Sequence, residues 1–361
     1  MGKSIVLTVT TDLNHDQRML RIAGTLASAG FVVTLLGREL PGSKPLGGQH
    51  FQQVRLRCRL AKGPFFYLEF NLRLILWFLW NRFEIYGGVD ADTALAGVLT
   101  AWWRRQPFVY DAHELFPELP EVVNRPPVEA VWAWVEKLAF SRASLAYTVS
   151  GSLVEYFQQR YRRRVHLIRN MPFRQPGVQE PGQPVYFIYQ GALNVGRGLE
   201  ATLEAMQDVP AQLVICGDGP LLPALQERVQ QLNLSRKVIF KGNVAPASLA
   251  QITQQAYAGI MLLENQGLSY YYSLANKFFD YVQAGIPQIC IPFPEYERLN
   301  TEWEVALLTN NNPEDIRKSM LALLEGRETY QRLRHNCLRA RQEWVWEKEA
   351  ERLVHLYKEL A

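Results

Sequence analysis

The chain has 361 residues, 48% of them hydrophobic and 20% charged, with a formal net charge of +4. That length exceeds an ordinary single domain, so two domains with full cores are expected, and the composition is that of a soluble globular protein. So small a positive excess admits contact with anionic lipids or nucleotides but calls for no nucleic-acid partner.

The N-terminus runs straight into an apolar segment with no signal region ahead of it. Ser4–Thr10 reads as a strand and Asp16–Ala29 as a helix, with apolar residues at Met19/Leu20, Ile22/Ala23 and Leu26/Ala27. Gly30 ends that helix, and Phe31–Leu36 is the next strand. Further strands read over Val54–Leu60, Phe83–Gly87, Phe108–Asp111, Leu145–Val149 and Val165–Ile168, with helical patterns between most of them. Near-continuous apolar strands separated by helices imply a parallel sheet covered on both faces. The most apolar window, Leu72–Trp80, is too short to cross a bilayer, and Asn71, Arg73, Asn81 and Arg82 lie in or beside it.

The alternation breaks at residues 170–184, where four prolines and two glycines fall within fifteen residues, the composition of an extended linker. It restarts with strands over Val185–Gln190, Ala211–Cys216, Lys237–Phe240, Ala258–Leu263, Gln288–Ile291 and Val305–Leu308, and helices that include Leu221–Leu232 and Pro246–Ala256. The tail from Pro313 to Leu360 reads as long and helical. The expected organisation is a Rossmann-like α/β domain over 1–172, a linker over 173–184, a second such domain over 185–344 and a terminal helix over 345–361. Ligands of doubly wound parallel sheets bind beyond the strand carboxyl ends.

Cys58, Cys216, Cys290 and Cys337 are widely spaced, with no CxxC or His-rich cluster. Cys216 and Cys290 sit in apolar strand-like runs and read as buried free thiols, which points to a reducing, cytoplasmic compartment.

Several turns hold residues able to carry chemistry. The segment 273–287 puts Asn276, Lys277 and Asp280 on a short helix whose start follows a buried strand. A helix start favours an anion, while Lys277 and Asp280 suit a ligand with both phosphates and hydroxyls; a surface helix with solvated polar residues is the competing reading. The loop from Gly191 to Gly198 carries Arg197 at another helix opening, although an ordinary strand–helix turn is the more common explanation, and neither GxGxxG nor GxxxxGK[ST] is present. In Cys216-Gly-Asp-Gly-Pro220, Asp218 can meet a ligand hydroxyl, or Gly217 and Gly219 simply satisfy turn geometry. Asp111, His113 and Glu114 crowd a first-domain strand end, a placement suited to acid–base or hydroxyl-binding work. Asp16 and Arg18 follow the first strand, either at a ligand cleft or as the charged first turn of a capped helix. No second cluster has metal-ligand spacing, and no Ser-His-Asp arrangement stands out.

In order along the chain come Asp16-Gln-Arg-Met-Leu-Arg-Ile-Ala23, Tyr110-Asp-Ala-His-Glu-Leu-Phe-Pro-Glu118, Tyr147-Thr-Val-Ser-Gly-Ser152 and Ile168-Arg-Asn-Met171. Gly191…Arg197-Gly-Leu199, Ile215-Cys-Gly-Asp-Gly-Pro220, Val238-Ile-Phe-Lys-Gly-Asn-Val244 and Asn276-Lys-Phe-Phe-Asp-Tyr-Val-Gln-Ala-Gly-Ile-Pro287 follow. This series resembles the GT-B glycosyltransferases, specifically the large retaining family 4. The resemblance covers nearly the whole chain and implies two Rossmann-like domains with a C-terminal helix crossing back to the first. It implies transfer of a sugar from a nucleotide-diphosphate sugar, held by the second domain, to a glycan or glycolipid acceptor. Arg197 and Lys277 match the family's diphosphate-contacting cations, Asp280 the ribose-binding carboxylate, and His113 the histidine near the transferred sugar. Gly191, Gly217, Asp218 and Asn276 complete the implied donor site, and Asp16, Arg18 and Glu114 are acceptor-side candidates. Two cations on a leaving diphosphate would replace a divalent metal, so no metal and no cofactor beyond the donor are expected.

Three positions depart from the family pattern. Tyr272 stands where the first of two glutamates usually lies, Asp280 replaces the second, and Ala192 occupies a position that is often basic. The expectation is therefore a cytoplasmic retaining glycosyltransferase of surface-polysaccharide or glycolipid assembly. A nucleotide-sugar epimerase of the same fold and a non-catalytic nucleotide-sugar-binding protein are the alternatives. The aromatic and basic residues of 65–82 and 101–105 read mainly as core helix, with a peripheral face at the inner side of a membrane as the other reading.

Overall fold

A computed structural model of the chain describes residues 2–14 and 16–360, with Pro120 and Glu121 described in main chain only. The chain forms two compact units, Met1–Asn170 with Glu349–Ala361, and Met171–Lys348.

The first unit is built on seven strands: β1 Ser4–Thr8, β2 Val32–Glu39, β3 Gln52–Arg57, β4 Ile85–Val89, β5 Phe108–Ala112, β6 Leu145–Thr148 and β7 His166–Leu167. They run parallel in the order β3-β2-β1-β4-β5-β6-β7. Winding starts at β1, runs outward to β3, and then resumes from β4 in the other direction. The reversal lies between β1 and β4, and every residue of β4 and β5 is buried. That burial on both faces is why these strands are written as apolar runs without alternation.

Six strands form the second unit: β8 Tyr186–Gln190, β9 Gln212–Cys216, β10 Val238–Gly242, β11 Ala258–Met261, β12 Gln288–Cys290 and β13 Ala306–Leu308. Their order is β10-β9-β8-β11-β12-β13, again all parallel, with the reversal between β8 and β11. Successive residues of a strand point to opposite faces. Ile188 of β8 accordingly joins one core cluster, while Phe187 and Tyr189 join another. The helix Asn276–Ala284 buries Phe278, Phe279, Tyr281 and Val282 in the first of these and stops at Gly285, whose φ of +75° is the left-handed cap that glycine supplies.

Residues 173–184 contain no helix or strand and lie along the second unit, where Gly182 N donates to Gln255 O at 2.8 Å and Arg341 donates to Gln175 O at 2.6 Å. The tail is helical and divides into three helices, Pro313–Glu325, Arg327–Glu343 and Trp346–Glu359, interrupted at Gly326 and at Trp344-Val345. Trp344 and Val345 are buried, and Trp344 packs on the rings of Phe278 and Phe279, so the chain leaves the helix to place that side chain. From Glu349 onward the last helix belongs to the first unit, where the Tyr357 hydroxyl stands 3.3 Å from that of Tyr147. The two parallel-sheet units and the returning helix constitute GT-B architecture.

The helix Pro64–Trp80 differs from expectation. Only one of its faces is core; the other, equally apolar, is exposed. No helix among the described residues is long and apolar enough to cross a membrane.

Candidate functional site

Beside a sheet reversal, adjacent strands send their connections to opposite faces and leave a crevice at the strand carboxyl ends. In the second unit that crevice lies past Gln190 of β8 and Met261 of β11. A cavity of about 320 Å3 opens there, lined by Gly191, Arg197, Asn276, Lys277 and Asp280 among others. Five of the residues singled out in the sequence are thus brought together.

Lys277 is buried, only 8% exposed, and its Nζ stands 3.8 Å from the centroid of the Tyr189 ring. Burial disfavours the ammonium form and the charge of Arg197 adds to that, so the pKa falls to about 7 against the weaker pull of Cys290 and Asp280. A Cβ built on Gly191 would lie 3.7 Å from the same Nζ, which measures how closely the loop approaches the lysine. The Arg197 guanidinium lies 5.3 Å from the Tyr270 ring, and its Nε is buried without a hydrogen-bond partner. The helix Asn276–Ala284 has no side-chain cap, so its first amides add positive potential at the wall formed by Ala275, Asn276 and Lys277. Two basic side chains and an uncapped helix start around one cavity have the chemistry to hold a multiply charged anion.

Asp280 borders the same space one turn further along. Gln190 Nε2 donates to Asp280 Oδ2 at 2.9 Å, and Thr253 Oγ1 donates to Gln190 Oε1 at 2.7 Å. This relay orients a carboxylate beside the cations, as a hydroxyl-bearing ligand requires. Tyr189, Gln190 and Tyr270 were not singled out in the sequence. The signal for Gln190 is a polar residue closing an apolar strand; the two tyrosines carry none beyond their aromatic character.

Gly217 and Asp218 do not line this cavity. A Cβ on Gly217 would fall 1.9 Å from the Gly191 carbonyl oxygen, and its φ is +149°. Leu193 N donates to Asp218 O at 3.0 Å, and the exposed Asp218 carboxylate accepts from Gly219 N at 2.7 Å. Their loop is the bed on which residues 191–198 rest.

A second cluster occupies strand ends of the first unit. Arg18 is buried and donates to Asp111 Oδ1 at 3.0 Å and to Ile168 O at 3.1 Å. Arg18 Nε and Asp111 Oδ2 both stand 2.8 Å from His113 Nε2, so that nitrogen accepts from the arginine or donates to the carboxylate according to its protonation. Burial disfavours a charged ring, but the attraction of Asp111 and Asp90 outweighs it and the repulsion of Arg18, and the His113 pKa rises. Donation to Asp111 is the form that this shift favours. Asp90, at a left-handed φ of +54°, accepts from the amides of His113 at 2.7 Å and Glu114 at 3.2 Å. Asp92 accepts from Thr10 Oγ1 at 2.5 Å, and burial raises its pKa to about 7. Asp90 and Asp92 escaped the sequence reading, although two carboxylates directly after the run Ile85-Tyr-Gly-Gly-Val89 are visible in it.

Asp16 is the N-cap of the helix Gln17–Ser28, accepting from Met19 N at 3.0 Å and from Thr11 Oγ1 at 2.7 Å. Its carboxylate has a structural task. Glu114 is exposed beside His113.

Two family descriptions match the chain: glycosyl transferases group 1 over residues 172–358 and glycosyltransferase family 4 over residues 17–171. A stretch of 87 residues is 37% identical to alpha-monoglucosyldiacylglycerol synthase of Streptococcus pneumoniae. That match takes in 22% of this chain and only 20% of the relative's length. Among solved structures, a sucrose-phosphate synthase from Thermosynechococcus elongatus superposes with a TM-score of 0.82 at 18% identity, covering 99% of both chains. Anabaena HepE in complex with UDP and glucose gives a TM-score of 0.78 at 13% identity, over 99% of this chain and 100% of that one. At such identities the likeness is one of fold.

Proposed function

This chain belongs to the glycosyl transferases group 1 family, and from that premise we propose that it is a retaining glycosyltransferase. It moves a sugar from a nucleotide-diphosphate sugar to a carbohydrate or lipid-linked acceptor and needs no metal to do so. The observation that carries this reading is the pairing of Arg197 and Lys277 around one cavity, with Lys277 buried and its pKa depressed to about 7. Burial makes this cation costly beyond what the pull of Asp280 offsets, and an incoming diphosphate supplies further negative charge.

In the reaction the bond between the sugar's anomeric carbon and the diphosphate oxygen breaks, while one to the acceptor oxygen forms on the same face. The acceptor proton passes to the departing phosphate oxygen, so no protein nucleophile is required. Arg197 and Lys277 stabilise the negative charge that grows on the diphosphate, where fixed positive groups lower a barrier most. Asp280, oriented by Gln190, takes the ribose hydroxyls. His113 is the first-unit residue that the family likeness assigns to the transferred sugar.

HepE was solved with UDP and glucose, which makes UDP-glucose the first donor to try, and the name of the Streptococcus relative supports a diacylglycerol-type acceptor. The test is incubation with a panel of nucleotide sugars. Release of nucleoside diphosphate, with anomeric configuration kept in the product and unaffected by EDTA, is the expected result. Conversion of the donor to an epimer would identify an epimerase instead, and binding without turnover a non-catalytic protein.

A further inference from the structure

The helix Pro64–Trp80 buries Phe66, Phe70, Leu74 and Phe78 on one side. Its opposite side carries Phe65, Leu68, Leu72, Leu76, Leu79 and Trp80, each between 42% and 84% exposed. At 100° per residue these six fall within about 120° of arc, the width of a helix's core-facing stripe. A helix on a water-facing surface normally puts charge there. Here its few polar residues are occupied elsewhere: Asn71 donates to Asp92 O at 2.7 Å, and Glu69 accepts from the amides of Arg59 and Leu60 at 2.9 Å and from Arg73 Nε at 2.8 Å.

Two neighbours extend the surface. The helix Asp90–Arg104 packs against Pro64–Trp80, and Pro126–Arg142 packs against Asp90–Arg104. They expose Leu99, Trp102, Trp103, Val131 and Trp134. Eleven of the nineteen exposed large apolar side chains among the described residues lie on these three helices. A concentration of that kind marks an interaction surface.

Charge decides what covers it. The exposed charged residues on and directly capping the three helices are Arg105, Arg125, Lys137 and Arg142, all basic. Arg142 lies 5.8 Å from the ring of Trp102, and a cavity of about 510 Å3 opens among Trp102, Trp103, Arg105, Gln106 and Arg142. Tryptophan beside arginine, bordering a leucine stripe that lies along a helix, is the pattern of a side chain set at a lipid–water interface. A two-fold dimer through the same face would bring like-charged rims together.

We propose that this three-helix face of the first unit seats on an anionic lipid bilayer, the leucines and tryptophans entering the interfacial layer and Arg105 and Arg142 meeting lipid phosphates. The proposal is independent of the transferase reading, since it uses no residue of either site.

The experiment is co-sedimentation of the full chain with vesicles of phosphatidylglycerol and phosphatidylcholine, beside vesicles of phosphatidylcholine alone. Binding to the anionic vesicles, weakened by salt and accompanied by a blue shift of tryptophan emission, is expected. The variant L72S/L76S/W80S should lower the partition coefficient at least ~tenfold, given the apolar area removed. R105E/R142E should abolish the preference for anionic vesicles. F173S/L308S, which alters exposed apolar residues of the second unit, should bind as the wild type does. Thermal unfolding of each variant establishes that it is folded. Wild-type protein left in the supernatant, equal losses in the control, or a concentration-dependent dimer that L72S/L76S/W80S dissociates without lipid binding would each overturn the proposal.

Discussion

Lys277 Nζ stands 3.8 Å over the ring of Tyr189 and, among the described residues, forms no ion pair. The aromatic face partly compensates the ammonium, yet burial and Arg197 still lower its pKa from 10.5 to about 7. The sign follows directly. Between those values an unfolded chain holds a proton on this lysine that the folded one lacks, so stability rises with pH through that window. Binding a diphosphate requires the charged form. Affinity for a nucleoside diphosphate is therefore expected to be flat below about pH 7 and to fall up to ~tenfold per pH unit above it. Calorimetry at pH 8 in buffers of different ionisation heat should show proton uptake on binding. Uptake equal to that of Lys277→Arg, whose side chain stays charged, would remove the lysine from this role.

The proposed roles of Lys277 and Asp280 assign the two halves of a nucleoside diphosphate to different residues. Lys277→Ala should weaken a nucleoside diphosphate by ~10- to 100-fold while leaving the nucleoside nearly unchanged, the range expected for a lost charged hydrogen bond. Asp280→Ala should do the reverse, with affinity lost for the nucleoside and retained for pyrophosphate. Equal losses for both ligands in either variant would contradict the assignment.

Asp92 in the first unit makes a prediction about stability. Its pKa rises from 3.8 to about 7 because burial penalises the carboxylate more than the Thr10 hydroxyl supports it. The folded state holds the proton through that range and the unfolded state does not, so stability falls as pH rises across it. Asp92→Asn keeps an acceptor for Thr10 and removes this linkage. It should be more stable than the wild type at pH 8, by roughly 1–3 kcal/mol, and similar at pH 4. Urea unfolding at the two pH values reads the difference; identical pH slopes would exclude the burial argument.

Gly217→Ala places a methyl 1.9 Å from the Gly191 carbonyl oxygen, at a φ of +149° that side chains avoid. Both loops must part to admit it. A loss above ~2 kcal/mol in thermal unfolding is expected, together with weaker nucleotide binding. Gly242→Ala makes the control, since its φ is also positive but nothing lies within 4 Å of its added Cβ.

The sheets were legible because their strands are buried on both faces and therefore written as apolar runs; boundaries moved by a few residues at most. The helix Asn276–Ala284 was legible for the converse reason, since its aromatic residues, its polar start and Gly285 each mark a different boundary condition. What the chain did not disclose was orientation. Pro64–Trp80 is apolar on every side, so no periodicity tells its buried face from its exposed one, and only packing separates them. Asp90 and Asp92 were hidden by the same limit: a carboxylate after a strand reads as solvated until the neighbouring helix is seen to bury it. In the tail the start of the last helix was legible to within a residue, whereas the break at Gly326 was not, because one glycine is tolerated within a helical pattern.

Residues 191–198 owe their shape to main chain. Gly191 N, Leu193 N, Leu193 O and Gly196 O are held by Cys216, Asp218, Leu221 and Glu264 backbone groups, and no side chain of Ala192, Asn194 or Val195 enters those bonds. The alphabet at these three places can consequently be rewritten while the loop's curve endures, so a lineage can vary the side chains beside the cavity without first rebuilding the cradle.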